Sequence, residues 1–90
     1  MEYKIENGEG YIKEYNDNGD LLFEGKILSG ERKEGKEYDY NYLKYEGEYL
    51  NGKRNGKGKE YNEKGEIIFE GEYLNGQRIE KEKYIMIKEK

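Results

Sequence analysis

The amino-acid sequence predicts an all-β protein: a single-layer, twisted antiparallel meander of β-hairpin repeats with about seven to eight strands. Three observations predict it. A short pattern ending in Gly-x-Arg recurs three times along the chain. Apolar residues alternate with period two across each copy, as a strand requires and a helix forbids. Asn-Gly pairs punctuate the copies, and the 90-residue chain contains no proline.

Composition sets the limits within which this fold must work. Charged residues make up 42% and hydrophobic residues 32%, a balance that leaves little apolar surface to offset chain entropy. The 11 Tyr and 2 Phe argue for folding, because tyrosine suits a pleated, half-buried surface. The absence of Cys and His removes disulfides, thiolate chemistry, the commonest metal ligand and the commonest general base. A net charge of -4 makes nucleic acid a poor direct partner. The sequence has no long apolar run, so it offers no transmembrane helix or signal-peptide core. A cytoplasmic location is the expectation.

The repeats come first. Phe23-Glu24-Gly25-Lys26-Ile27-Leu28-Ser29-Gly30-Glu31-Arg32 aligns with Tyr45-Glu46-Gly47-Glu48-Tyr49-Leu50-Asn51-Gly52-Lys53-Arg54 and Phe69-Glu70-Gly71-Glu72-Tyr73-Leu74-Asn75-Gly76-Gln77-Arg78. A second element recurs between them as Lys13-Glu14-Tyr15, Lys36-Glu37-Tyr38 and Lys59-Glu60-Tyr61, with Tyr84 at the spacing of a fourth. Strands are expected near 11–16, 21–28, 35–41, 43–50, 57–62, 66–74 and 80–88, with a short edge strand near 2–5. The whole reads as one domain, 1–90. Its repeats cover 10–32, 35–54 and 58–78, flanked by a partial repeat at 1–9 and a capping strand at 79–90.

In-strand glycine weakens a strand unless something needs its bare backbone. Gly25, Gly47 and Gly71 share a face with Phe23, Tyr45 and Phe69. The expectation is that Tyr15, Tyr38 and Tyr61 from neighbouring strands lie flat across these glycines, giving stacked repeats a continuous core. All nine residues read as structural positions.

The run from Tyr45 to Gly58, Tyr45-Glu46-Gly47-Glu48-Tyr49-Leu50-Asn51-Gly52-Lys53-Arg54-Asn55-Gly56-Lys57-Gly58, resembles a full MORN (membrane occupation and recognition nexus) motif in a long-period, bacterial-like form. The other copies match in part, and Asn7-Gly8-Glu9-Gly10 resembles the tail of an earlier repeat. The resemblance implies an elongated open sheet and a scaffold, dimerisation, protein-binding or phospholipid-binding role. It carries no catalytic activity and no cofactor.

Candidate chemistry is sparse. Glu46 with Glu48, and Glu70 with Glu72, are acidic pairs on a strand's solvent face, better read as cross-strand partners of lysines than as acid-base machinery. Gly52–Lys59 is glycine-rich but lacks Gly-Lys-Ser/Thr, so it is no nucleotide loop. Lys53, Arg54, Lys57 and Lys59 within it are candidates for an anionic ligand such as a lipid headgroup. Lys81, Lys83, Lys88, Glu89 and Lys90 read as a charged cap against edge pairing. The repeat breaks its own rule at Tyr38-Asp39-Tyr40-Asn41-Tyr42, where a glycine turn is missing. Tyr40 and Tyr42 are therefore the candidate partner-binding anchors. Three roles follow. The first is a non-enzymatic protein-binding scaffold, the second a small acidic inhibitor or antitoxin-like protein that blocks a basic surface, and the third a lipid binder. Homo-oligomerisation through sheet edges is also open.

Overall fold

The computed structural model describes residues 2–6 and 9–79, with side chains from Glu9 onward. Eight strands are present among the described residues: β1 (Glu2–Glu6), β2 (Glu9–Tyr15), β3 (Leu21–Leu28), β4 (Glu31–Asp39), β5 (Tyr42–Leu50), β6 (Lys53–Tyr61), β7 (Ile67–Leu74) and β8 (Gln77–Ile79). They pair antiparallel in chain order from β1 to β8, which is a meander in one open layer. The Cα extents of 51 × 32 × 16 Å agree with a single sheet.

The turns explain the order. Asn51 and Gly52 both hold positive φ, at 52° and 80°, and Asn75–Gly76 repeats the pair. Successive left-handed residues make the two-residue turn whose twist matches the strands on either side. The longer loops, 16–20 and 62–66, share another device. The Asn16 side-chain oxygen accepts the N–H groups of Asn18 and Asp20, and Asn62 does the same for Lys64 and Glu66.

Four strands begin at least two residues earlier than expected, β2 at Glu9 and β8 at Gln77 by two and three residues, and β4 and β6 by four each. β4 starts at Glu31 rather than near 35, and β6 at Lys53 rather than near 57. The tight Ser29–Gly30 and Asn51–Gly52 turns return the chain straight into pairing, so Gly56 joins a strand and Gly35 and Gly58 lie well inside theirs. The expected strand at 80–88, Tyr84 and the charged cap lie outside the described residues.

The core sits on one face of the sheet. Phe23, Ile27, Tyr45, Tyr49 and Tyr73 are buried there with Ile12, and Phe69 packs against them. Rings meet edge to face along the series Phe23, Tyr49, Tyr45, Tyr73, Phe69, with centroids 5.2–5.7 Å apart. Such pairs contribute beyond the area they bury. This is how a chain so rich in charge holds a core one side chain deep.

The glycine expectation needs correcting. Gly25, Gly35, Gly47, Gly58 and Gly71 are register partners in one row across β3 to β7. The rings over that row belong to Phe23, Tyr45 and Phe69 two residues earlier, rather than to Tyr15, Tyr38 and Tyr61. A Cβ on Gly58 would fall 2.6 Å from the Tyr45 ring, and one on Gly35 would fall 2.6 Å from that of Phe23. Strand alternation puts Tyr38 and Tyr61 on the opposite face. There their hydroxyls donate to Glu24 and Glu46 respectively.

Candidate functional site

Each repeat is fastened on the ring face by an arginine. Arg32, Arg54 and Arg78 lie over Phe23, Tyr45 and Phe69, at 4.0, 4.2 and 4.9 Å from the ring centroids. Beyond each ring they reach Glu14, Glu37 and Glu60 two strands back. Tyr49 and Tyr73 add their hydroxyls to Glu37 and Glu60. Burial of Glu37 opposes its charge, yet the bonds from Arg54 and Tyr49 outweigh it and hold its pKa low. The Arg78 hydrogen bonds, with that of Tyr73, hold Glu60 at about 2. The signal for this clamp was present in sequence, since the same Glu precedes each recurring Tyr and the same Arg ends each copy. Sequence reading missed that the two meet.

The opposite face carries charge in rows. Lys13, Glu24, Lys36, Glu46, Lys59 and Glu70 are register neighbours from β2 to β7, alternating in sign throughout. Two residues further along the strands run Tyr11, Lys26, Glu34 and Glu48, then Lys57 and Glu72. Between the two rows the glycine row shows only its backbone. The result is an open groove of about 710 Å³ crossing the strands. Glu46 and Glu70 face lysines here, as the strand alternation implied.

The four basic candidates do not share a surface. Lys53, Lys57 and Lys59 lie on the charged face, and Lys59 approaches Glu70 at 4.0 Å. Arg54 is on the ring face, its side chain only 18% exposed and committed to Glu37. Strand alternation separates neighbours that look contiguous in sequence.

Tyr40 and Asn41 form the turn between β4 and β5, with φ of 48° and 68°. Tyr40 is 90% exposed. A bulky residue in the left-handed region is held there against a preference of order 1–3 kcal/mol. Asn41 extends its amide to Asp20, at 3.4 Å, so the turn leans toward the loop of the preceding repeat. Tyr42 opens β5 opposite Asp39 and is half-buried.

An open sheet of like hairpins, each tied to the next by the same side chains, defines a repeat protein. Residues 45–66, which cover most of β5, all of β6 and the loop after it, match the family model for the MORN repeat. No protein with a curated description and no solved structure matches the chain. Among the described residues no helix is long and apolar enough to cross a membrane.

Proposed function

We propose that this protein is a non-catalytic protein-binding module, with Tyr40 and Tyr42 at the central hairpin as its aromatic anchors. The observation that carries the reading is Tyr40, a ring presented almost wholly to solvent on a turn where glycine would be the relaxed choice. Strain of this kind persists where the surroundings enforce it and clusters at binding sites. Tyrosine is favoured at such sites because it offers a large contact with few torsions to freeze. The MORN repeat supports the coarser part, a repeat-built binding or scaffold surface.

A second reading is an inhibitor that occupies a basic surface of its target. The acid-rich lining of the groove favours it, with Glu24, Glu34, Glu46, Glu48, Glu70 and Glu72 present against Lys26, Lys36, Lys57 and Lys59. Lipid binding through Lys53, Arg54, Lys57 and Lys59 loses support because Arg54 is engaged within the fold.

Affinity purification from the native host, followed by recapture of the partner with variants, tests the proposal. The Tyr40→Ser/Tyr42→Ser double variant should remain folded and lose at least about tenfold in affinity, or 1.4 kcal/mol. Reversing Lys53 and Lys57 should change mainly the salt dependence. Full capture by the tyrosine variant together with loss in the lysine variant would move an anionic target to first place.

A further inference from the structure

The groove on the charged face is a second site, apart from Tyr40. We propose that it takes an extended segment of a partner protein bearing lysine or arginine. The inference rests on the reading of the chain as a protein-binding module but not on the aromatic hairpin.

Its floor is the backbone of Gly25, Gly35, Gly47, Gly58 and Gly71, whose polar groups are largely engaged in the strand ladders. A floor of that kind offers close approach but little selectivity, so selectivity must come from the walls. One wall alternates in sign from Lys13 to Glu70, and each of its carboxylates lies beside a lysine. The other breaks the alternation at the centre of the sheet, where Glu34 is the direct register partner of Glu48. Like charges directly opposed across strands are destabilising.

Neither carboxylate is saturated by the contacts it makes. Glu34 meets Lys26 at 3.5 Å, in an exposed pair. One oxygen of Glu48 accepts the backbone N–H of Lys57 at 2.8 Å. An ionised carboxylate offers about four acceptor sites. A cation entering between Glu34 and Glu48 would relieve their repulsion and add charge-assisted hydrogen bonds. An acidic or neutral segment would do neither.

Spacing supports a peptide occupant. The first wall's acids, Glu24, Glu46 and Glu70, stand on alternate strands, about 9.6 Å apart for strands spaced 4.8 Å. A segment in the extended polyproline II conformation rises about 3.1 Å per residue and returns to the same face every third residue, so a basic residue at every third position recurs at about 9.3 Å and meets these acids in turn.

The test is a titration of the full chain with two synthetic peptides, (Lys-Gly-Gly)4 and (Glu-Gly-Gly)4, at neutral pH and low salt, followed by fluorescence anisotropy. The basic peptide should bind at least tenfold more tightly. Glu34→Gln/Glu48→Gln should cut its affinity at least fivefold. That variant relieves a repulsion and keeps an acceptor for Lys57, so it should be as stable as the parent. Asp17→Asn/Glu63→Gln loses the same charge off the groove and should bind as the parent does. Tyr40→Ser/Tyr42→Ser should also bind normally, which separates this site from the hairpin. No binding of the basic peptide, equal binding of the acidic one, or undiminished binding by the Glu34/Glu48 variant would overturn the proposal. Spermine binding as tightly as the peptide would replace the protein segment with a small polycation.

Discussion

Arg54 grips Glu37 across the intervening strand β5, with hydrogen bonds of 3.0 and 3.1 Å, while its guanidinium covers the Tyr45 ring. One side chain thus closes the core from above and ties β6 to β4. Arginine suits the task because its planar fork matches a carboxylate and its flat face stacks on a ring. Arg54→Ala should cost about 1.5–3 kcal/mol, the range for hydrogen bonds to charged groups. Arg54→Lys should recover only part of that, and Lys53→Ala should stay within about 0.5 kcal/mol of the parent. Urea denaturation midpoints rank the three. A lysine that restored full stability would show that charge alone does the work.

Two glycines of the same row should differ. A Cβ on Gly47 would lie 2.5 Å from the Lys57 carbonyl oxygen and 2.5 Å from the Tyr45 hydroxyl, and the backbone cannot step aside. On Gly71 the nearest atom is a Phe69 ring carbon at 3.0 Å, on a side chain that can give way. Gly47→Ala should therefore cost roughly 1–3 kcal/mol, the usual range for overpacking, and Gly71→Ala distinctly less. Equal losses in thermal melts would contradict the difference in surroundings.

Tyr45 and Tyr61 make the matching comparison between faces. Tyr45 is fully buried among rings, and its hydroxyl donates to the Glu48 carbonyl. Its replacement by alanine should cost about 3–5 kcal/mol, as for other large buried aromatics. Tyr61 is only half-buried on the charged face, so Tyr61→Ala should cost about 1 kcal/mol, near one hydrogen bond. If Tyr61→Ala proved the more damaging, the placement of the core would be wrong.

At Tyr40, stability and the proposed binding should part company. Glycine enters the left-handed region without the penalty that tyrosine meets. Tyr40→Gly should raise stability by about 1 kcal/mol while weakening partner capture. A destabilised variant would mean that the ring supports the turn.

Stability should fall at both ends of the pH scale. Glu60 has a folded-state pKa of about 2 against an ordinary value of 4.5, set first by the Arg78 hydrogen bonds. Glu37 is lowered as well, since its bonds to Arg54 and Tyr49 outweigh the cost of burial. A carboxylate that binds protons less tightly when folded stabilises the fold above the ordinary value, and that stability drains as pH falls toward about 2. Tyrosines shift the other way. Burial raises Tyr45 and Tyr38 to about 12, with Glu24 adding to the latter, and the hydrogen bond to Glu46 raises Tyr61 to about 12. Their contribution is complete below about pH 10 and is lost as pH rises through 12. Denaturation midpoints across pH should show a plateau between two falling limbs. Glu60→Gln should shrink the acid limb, and an unchanged limb would remove Glu60 as its source.

The sequence by itself determined the strand content, the hairpin repeats and the polarity of most positions. Those depend on local rules: period-two alternation, the positive φ of Asn-Gly, and the recurrence of one pattern from Phe23 to Arg78. It also singled out the turn at Tyr40, because a missing glycine is visible in one dimension. What only the tertiary structure decided is which side chains meet across strands. The ring over Gly47 is that of Tyr45 on its own strand, and Arg54 leaves its basic neighbours to cross the sheet toward Glu37. Both follow from register. A shift of one residue sends a side chain to the opposite face, and the bulge between Glu37 and Tyr38 makes such a shift without a clear mark in the sequence. The opposition of Glu34 and Glu48 is of the same kind, because strand pairing alone brings two distant carboxylates into one groove.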